Sequence, residues 1–397
     1  MIERDLYLDK IKTYIDKDLI KVLIGQRRVG KSSILRLVSE WIKSQDNKAH
    51  IIYIDKEDYA FESMKSHQEL YKYIETHKGP SYNYLFIDEV QEIEGFEKIL
   101  RNYIKQSEFD IYITGSNAKM FSGELATFLS GRQILIPVGS LNFKEFCLFH
   151  DLEVNNDALQ KFMRYGGMPY LMHLPNKEAV RFEYLKNILD TILLRDVIQR
   201  NQIRDPRFLS DLLRFLADVT GNLFSANKIA QYLKSQHIKK NVALILNYLS
   251  YIEEAYFINV VKRIDIQGKK QFEVGEKYYF EDIGLRNILV GYRLNDIEKI
   301  MENLVYLHLK YQGYQVFIGQ LSDKEIDFVA VKDNERIYLQ VAYLLSEEQT
   351  IEREFGNLML IKDNYPKYVI SFDVIETQNT YKGIKHMSFI NFLSSFS

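Results

Sequence analysis

The residues best suited to do chemistry stand near the amino terminus. Gly25-Gln26-Arg27-Arg28-Val29-Gly30-Lys31-Ser32 fits the pattern G-x-x-x-x-G-K-[ST] at every fixed position. Its glycines let the backbone bend so that successive N–H groups point inward at a β-phosphate, and the helix that follows adds the positive end of its dipole. Gly25, Arg28, Val29, Gly30, Lys31, Ser32 and Ser33 are the expected contacts for ATP. Lys31 would reach the β- and γ-phosphates, and the Ser32 hydroxyl would ligate Mg²⁺.

Two further segments carry matching chemistry. Tyr84-Leu85-Phe86-Ile87-Asp88-Glu89 is an apolar run ending in two carboxylates. Ligands of parallel α/β sheets sit at the carboxyl ends of strands, so Asp88 would share the Mg²⁺ and Glu89 would orient and deprotonate the attacking water. Asp110-Ile111-Tyr112-Ile113-Thr114-Gly115-Ser116-Asn117 again ends an apolar run in small polar residues. Ser116 or Asn117 there could sense the γ-phosphate or the water, although the same residues also suit a simple turn. Arg132, just before the β-prone Gln133–Val138, is a candidate arginine finger, acting in cis or toward a neighbouring subunit.

These groups must be held by alternating strands and helices. Leu19–Ile24 is short, apolar and β-prone, whereas Ser33–Ile42 repeats its apolar residues at helical spacing, giving strand, loop and helix around the glycines. The chain of 397 residues suggests two or three domains, and 46% hydrophobic with 27% charged residues is ordinary for a soluble globular protein. A net charge of −2 gives no global attraction to nucleic acid or acidic membranes. The single cysteine, Cys147, excludes an internal disulfide and reads as buried filler in a reducing compartment. No apolar run reaches a membrane span and Met1–Asp5 lacks a signal-peptide core, so the expectation is a cytoplasmic protein with no membrane contact.

Taken in order, the phosphate loop with Arg27-Arg28, the strand Leu85–Glu89, Thr114-Gly115-Ser116-Asn117, Leu129-Ser130-Gly131-Arg132, Gly166-Gly167-Met168-Pro169 and Tyr279–Arg286 resemble a known family. It is that of the prokaryotic AAA-type ATPases, of the archaeal-type and signal-transduction class, with a C-terminal domain of unknown function. The resemblance implies an AAA+ parallel-sheet core and raises the standing of Arg132 as a finger, which in trans would require a homo-oligomer. It implies no substrate.

Beyond the core, residues from about 141 to 205 look helical, broken at Gly166–Pro169, with Arg195-Asp196 as a local ion pair or a lid contact. Ser225–Leu233 and Asn241–Ile252 read as two helices separated by a turn around Gln236–Lys240. The β-prone Phe257–Ile266 and Lys270–Phe280 follow, which is the order of a winged helix. DNA would meet Lys239, Lys240, Lys262, Arg263, Lys269 and Lys270. The last region resembles a PD-(D/E)xK nuclease fold, with Glu302 on a helix, Asp327 on a strand, and Gln340-Val341-Ala342 where active members carry E-x-K. An amide and a methyl in place of the acid and the lysine argue for a fold that has lost cutting. The expected division is therefore an ATPase domain at 1–140, a helical connector at 141–205, a winged-helix region at 206–280 and a nuclease-like α/β domain at 281–397. The expected function is an ATPase that moves its C-terminal domains. An ATP-gated DNA-binding switch is the alternative, and a DNA-cleaving effector comes after it.

Overall fold

A computed structural model describes residues 2–118, 131–235, 238, 240–268, 275–345, 348–373 and 380–396. Leu129, Ser130, Lys239, Lys269 and Lys270 lie outside the described residues. The chain divides into two compact units, Met1–Gly139 with Glu254–Tyr256, and Ser140–Glu253 with Phe257–Ser397.

In the first unit, helix α1 (Asp5–Lys12) precedes strand β1 (Ile20–Ile24), and α2 (Lys31–Gln45) begins directly after the glycine loop. Then come β2 (His50–Asp55), α3 (His67–His77), β3 (Asn83–Asp88), α4 (Phe96–Gln106), β4 (Phe109–Gly115) and β5 (Gln133–Pro137). The strands are parallel in the order β2-β3-β4-β1-β5. A parallel sheet is covered on both faces, which is why β1 and β4 are buried at every position. The helices supply the cover at helical spacing. α2 buries Ile34, Leu35, Val38 and Ile42, and α4 buries Phe96, Ile99, Leu100, Tyr103 and Ile104.

One position breaks the apolar pattern of β1. Lys21 is fully buried and its ammonium is paired with the equally buried Asp110 of β4. Asp110 also accepts the Asp16 N–H at 2.8 Å and the Tyr112 hydroxyl at 2.7 Å. Burial pulls the Lys21 pKa down against the attraction of Asp110.

The second unit opens with α5 (Phe143–Phe149), α6 (Asn156–Tyr165) and α7 (Glu178–Thr191), which continues as a π-helical run over Ile192–Gln199. Asp196 in that run pairs with Arg200 at 3.2 Å, as i,i+4 residues share a helix face. Three helices follow, α8 (Pro206–Asp218), α9 (Ala226–Ser235) and α10 (Val242–Glu254), then β6 (Ile258–Asp265) and β7 (Glu276–Phe280). The remainder is α11 (Ile283–Val290), α12 (Ile297–Tyr311), β8 (Gln315–Leu321), β9 (Lys324–Lys332), β10 (Glu335–Val341), α13 (Glu348–Met359), β11 (Lys367–Ser371), β12 (Thr380–Tyr381), β13 (Ile384–Ser388) and α14 (Phe389–Ser395).

Among the described residues these strands form one mixed sheet in the order β12-β13-β11-β10-β9-β8-β6-β7. The β6–β7 hairpin is therefore its edge rather than a free wing, with β6 running parallel to β8. α12 lies against the sheet, burying Ile300, Met301, Leu304 and Val305. The buried Asn303 amide both accepts from and donates to the backbone of Phe280 at 2.8 Å, satisfying β7 where no further strand is paired with it. Cys147 is buried in α5.

Gly166-Gly167 and Asp282-Ile283-Gly284 meet so closely that neither glycine tolerates a side chain. A Cβ at Gly166 would come 2.4 Å from Asp282 Oδ1, and one at Gly284 2.0 Å from the Tyr165 carbonyl. Asp282 accepts the N–H of Gly167 at 2.8 Å and caps α11 through Leu285 N–H at 3.0 Å.

Removing one member of the Lys21–Asp110 pair leaves a buried charge uncompensated. Lys21→Met is expected to destabilise the chain by about 3–5 kcal/mol in denaturant unfolding, and adding Asp110→Leu to recover most of that loss.

Candidate functional site

The carboxyl ends of β1, β3 and β4 are neighbours because β4 lies between the other two in the sheet. The loop after β1 approaches the end of β5 so closely that a Cβ on Gly25 would stand 2.1 Å from the Val138 carbonyl oxygen. Arg28 adopts φ 70° and Gly30 φ 98°, the turn that sends the chain into α2. Val29 and Lys31 are buried, whereas Arg28 and Ser33 are exposed. Lys31 Nζ donates to the carbonyls of Gly25 and Gln26, each at 3.0 Å, and stands 3.9 Å from Glu89.

Asp88 ends β3 and hydrogen-bonds the Ser32 hydroxyl at the start of α2. On its other side it accepts the Thr114 hydroxyl at 2.5 Å. Burial pushes the Asp88 carboxyl above its ordinary range, against the pull of these two hydroxyls. Glu89 turns into the left-handed region, φ 51°, with its N–H on Thr114 Oγ at 2.8 Å. Its carboxylate receives Gln91 and, at 3.4 Å, the Ser116 hydroxyl. Burial raises the Glu89 pKa, but Lys31 and Arg27 outweigh it and hold the group below the usual carboxylate range. Glu89 is therefore ionised and able to accept a proton.

Phosphate loop, Ser32, Asp88, Glu89 and Ser116 thus converge. Asn117 is the second residue beyond β4 and half-buried. Arg132 does not join them. It is exposed, and its carbonyl accepts from Ile20 N–H at 2.9 Å, at the start of β1 and β5. The loop lies at the other end of the parallel pair Ile20↔Gln133 to Ile24↔Pro137. At about 3.3 Å per residue, that is some 13 Å of strand, beyond an arginine's reach. Of the two roles open to Arg132, this geometry leaves the one toward a neighbouring subunit as the one to propose.

Sequence reasoning gave no role to Thr114, Gln91, Arg27 or Arg4. Gln91 follows Glu89 by two residues, a short-range signal that could have been read. Arg4 could not, because its partners are remote: it donates to the carbonyls of Val29 at 2.9 Å and Gly139 at 3.0 Å.

The donor set fits a magnesium nucleotide. Buried N–H-lined backbone, an ammonium held by neutral carbonyls, and a hydroxyl–carboxylate pair are what phosphates and a hard cation require. The fully buried Gln26 side chain, inside the loop, has no hydrogen-bond partner for either amide atom, as expected of a cradle built for a ligand.

Residues 17–147 match the family model described as an AAA domain, which makes the first unit an AAA-type phosphate-loop domain. Residues 156–296 match a domain of unknown function (DUF8612). The chain is 35% identical to an "Uncharacterized protein" of Haemophilus influenzae over 99% of this chain and 98% of that protein. It is 32% identical to "Uncharacterized protein MJ1544" of Methanocaldococcus jannaschii over 89% of this chain and 80% of that one. The chain belongs to the same family as the Haemophilus influenzae protein. A solved structure of the Aeropyrum pernix ORC2 protein (ADPNP-ADP complexes) is similar over 75% of this chain and 91% of that chain, at 12% identity and a TM-score of 0.39. Among the described residues no helix is long and apolar enough to cross a membrane.

Thr114→Val removes a donor to Asp88 and the acceptor of the Glu89 N–H. The expected outcome is a loss of about 1–3 kcal/mol in unfolding free energy, together with weaker Mg²⁺-dependent nucleotide binding in a titration at fixed nucleotide.

Proposed function

We propose that the chain binds Mg·ATP in the loop around Gly25–Ser32 and hydrolyses it to ADP and phosphate. The observation that carries this reading is the convergence of Asp88 and Glu89, at the carboxyl end of β3, with Lys31 of the phosphate loop, whose Nζ stands 3.9 Å from Glu89. The loop N–H groups and Lys31 hold the β- and γ-phosphates, the ammonium exchanging two neutral carbonyls for charged oxygens. Ser32 and Asp88 hold the magnesium, which when bound neutralises charge developing on the phosphates. Glu89 orients water and takes its proton, while Gln91 and Ser116 keep its carboxylate in place. Arg132 serves a neighbouring subunit, so full turnover needs assembly.

Nucleotide state is coupled to the second unit through Arg4. Its guanidinium joins Val29 of the phosphate loop to Gly139, the last residue before the second unit begins. In that unit α8, α9 and α10 precede the β6–β7 hairpin in the order of a winged helix whose hairpin is built into the edge of the larger sheet. The order α12-β8-β9-β10-α13-β11 supports a nuclease-like core. Gln340 and Ala342, both buried, stand where an acid and a lysine would act, so cleavage is not part of the reading. Nor does α10 favour DNA, since Val242–Glu254 contains no Lys or Arg and ends in two glutamates.

Steady-state ATP hydrolysis with Mg²⁺ tests the reading. Lys31→Ala abolishes ATP binding, and tight binding by that variant sinks the assignment. Glu89→Gln retains binding and loses about 100-fold or more in turnover. Arg132→Ala mixed with Glu89→Gln recovers activity that neither variant has alone, as expected of a residue reaching across a subunit boundary; no recovery removes that role.

A further inference from the structure

The sheet of the second unit contains a buried ammonium surrounded by acids. Lys277 of β7 is 2% exposed. Its Nζ stands 2.7 Å from Glu302 of α12, 2.8 Å from Glu325 and 3.8 Å from Asp327, both of β9. Burial pulls the Lys277 pKa down, but Glu302, Asp327 and Glu325 outweigh it and keep the amine charged. The other acceptor positions are filled from within the chain as well. Glu302 Oε1 takes the Tyr279 hydroxyl at 2.5 Å, and a Cβ on Gly221 would stand 2.8 Å from Oε2. Asp327 Oδ2 takes the Val341 N–H at 2.8 Å. Gln340 accepts the Asp327 N–H at 2.7 Å and donates to Glu354 at 2.8 Å, so its amide uses a donor that a carboxylate would lack.

A nuclease-like core implies a divalent metal between the helix acid and the strand acid, and these residues do not fit one. Magnesium needs carboxylate oxygens at about 2.0–2.1 Å in near-octahedral array. Here those oxygens face an ammonium, a phenol and the backbone N–H of Val341. Among the described residues no group of three or more His, Cys, Asp and Glu is arranged to hold a metal ion.

We propose that Lys277 is the built-in cation of this core. Its ammonium supplies the counter-charge that a divalent metal supplies in the nuclease fold, and so closes the acid cluster to metal. The inference rests on the nuclease-like reading of this unit and is independent of the ATPase reading of the other. It also gives Gln340 a role: its amide donates to Glu354, where a carboxylate would instead place a second negative charge against that acid.

Mn²⁺ binding by the full chain, measured without nucleotide by calorimetry alongside thermal unfolding, tests the proposal. Wild type and Asp327→Asn give the same Mn²⁺ titration, because the cluster takes no metal. Lys277→Met melts lower by on the order of 10 °C, and millimolar Mn²⁺ restores part of the loss unless Asp327→Asn is also present. A wild-type Mn²⁺ site that Asp327→Asn removes overturns the proposal, and plasmid cleavage with that metal would then make Lys277 a nuclease lysine. A Lys277→Met melt unmoved by Mn²⁺ also overturns it, while leaving the ATPase assay and its outcome untouched. Should Lys277→Met fail to fold, the paired titrations of wild type and Asp327→Asn still decide.

Discussion

The Thr114 hydroxyl is the point on which the first unit's chemistry depends. It donates to Asp88 and accepts the N–H of Glu89, so one oxygen at the end of β4 ties the Asp88 carboxylate to the backbone of the next residue. Without it Glu89 would have no reason to take the left-handed turn that aims it away from Asp88 and toward Lys31 and Ser116. Two adjacent acids at a strand end would otherwise point to opposite faces of the sheet. The turn lets both serve one site.

The strand order adds the second constraint. With β4 between β1 and β3, the phosphate loop, the acid pair and the polar turn share one edge of the sheet. The same parallel register sends Arg132 to the opposite edge. Strand direction thus separates Arg132 from the phosphate loop of its own chain by the length of β5.

Much of this was legible in the sequence because the signals are local. A glycine loop between a strand and a helix, and acids at the end of an apolar run, each occupy a few consecutive residues whose geometry is fixed by neighbours. What was not legible depends on distant partners. Arg4 reaches Val29 and Gly139, and Lys21 reaches Asp110, through tertiary packing that no spacing rule encodes. Lys277 is the sharpest case. The lysine expected in E-x-K is absent from Gln340–Ala342, yet an ammonium reaches the same acids from β7, which joins the sheet through β6. The winged-helix reading singled out Lys262, Arg263, Lys269 and Lys270 of the hairpin as DNA contacts and gave Lys277 no role.

The two units show how the surroundings of a lysine decide what it can do. Lys31 donates to two neutral carbonyls at 3.0 Å and stands farther, 3.9 Å, from the Glu89 carboxylate. Phosphate oxygens are better partners for an ammonium than carbonyls are, so Lys31 can exchange its bonds when nucleotide arrives. Lys277 is surrounded by three carboxylates, two of them within 2.8 Å. No incoming anion can compete with fixed charges already at contact distance, and an incoming metal would have to displace a cation tethered to the chain. A lysine with neutral partners remains available for ligand; one neutralising buried acids is committed to the fold.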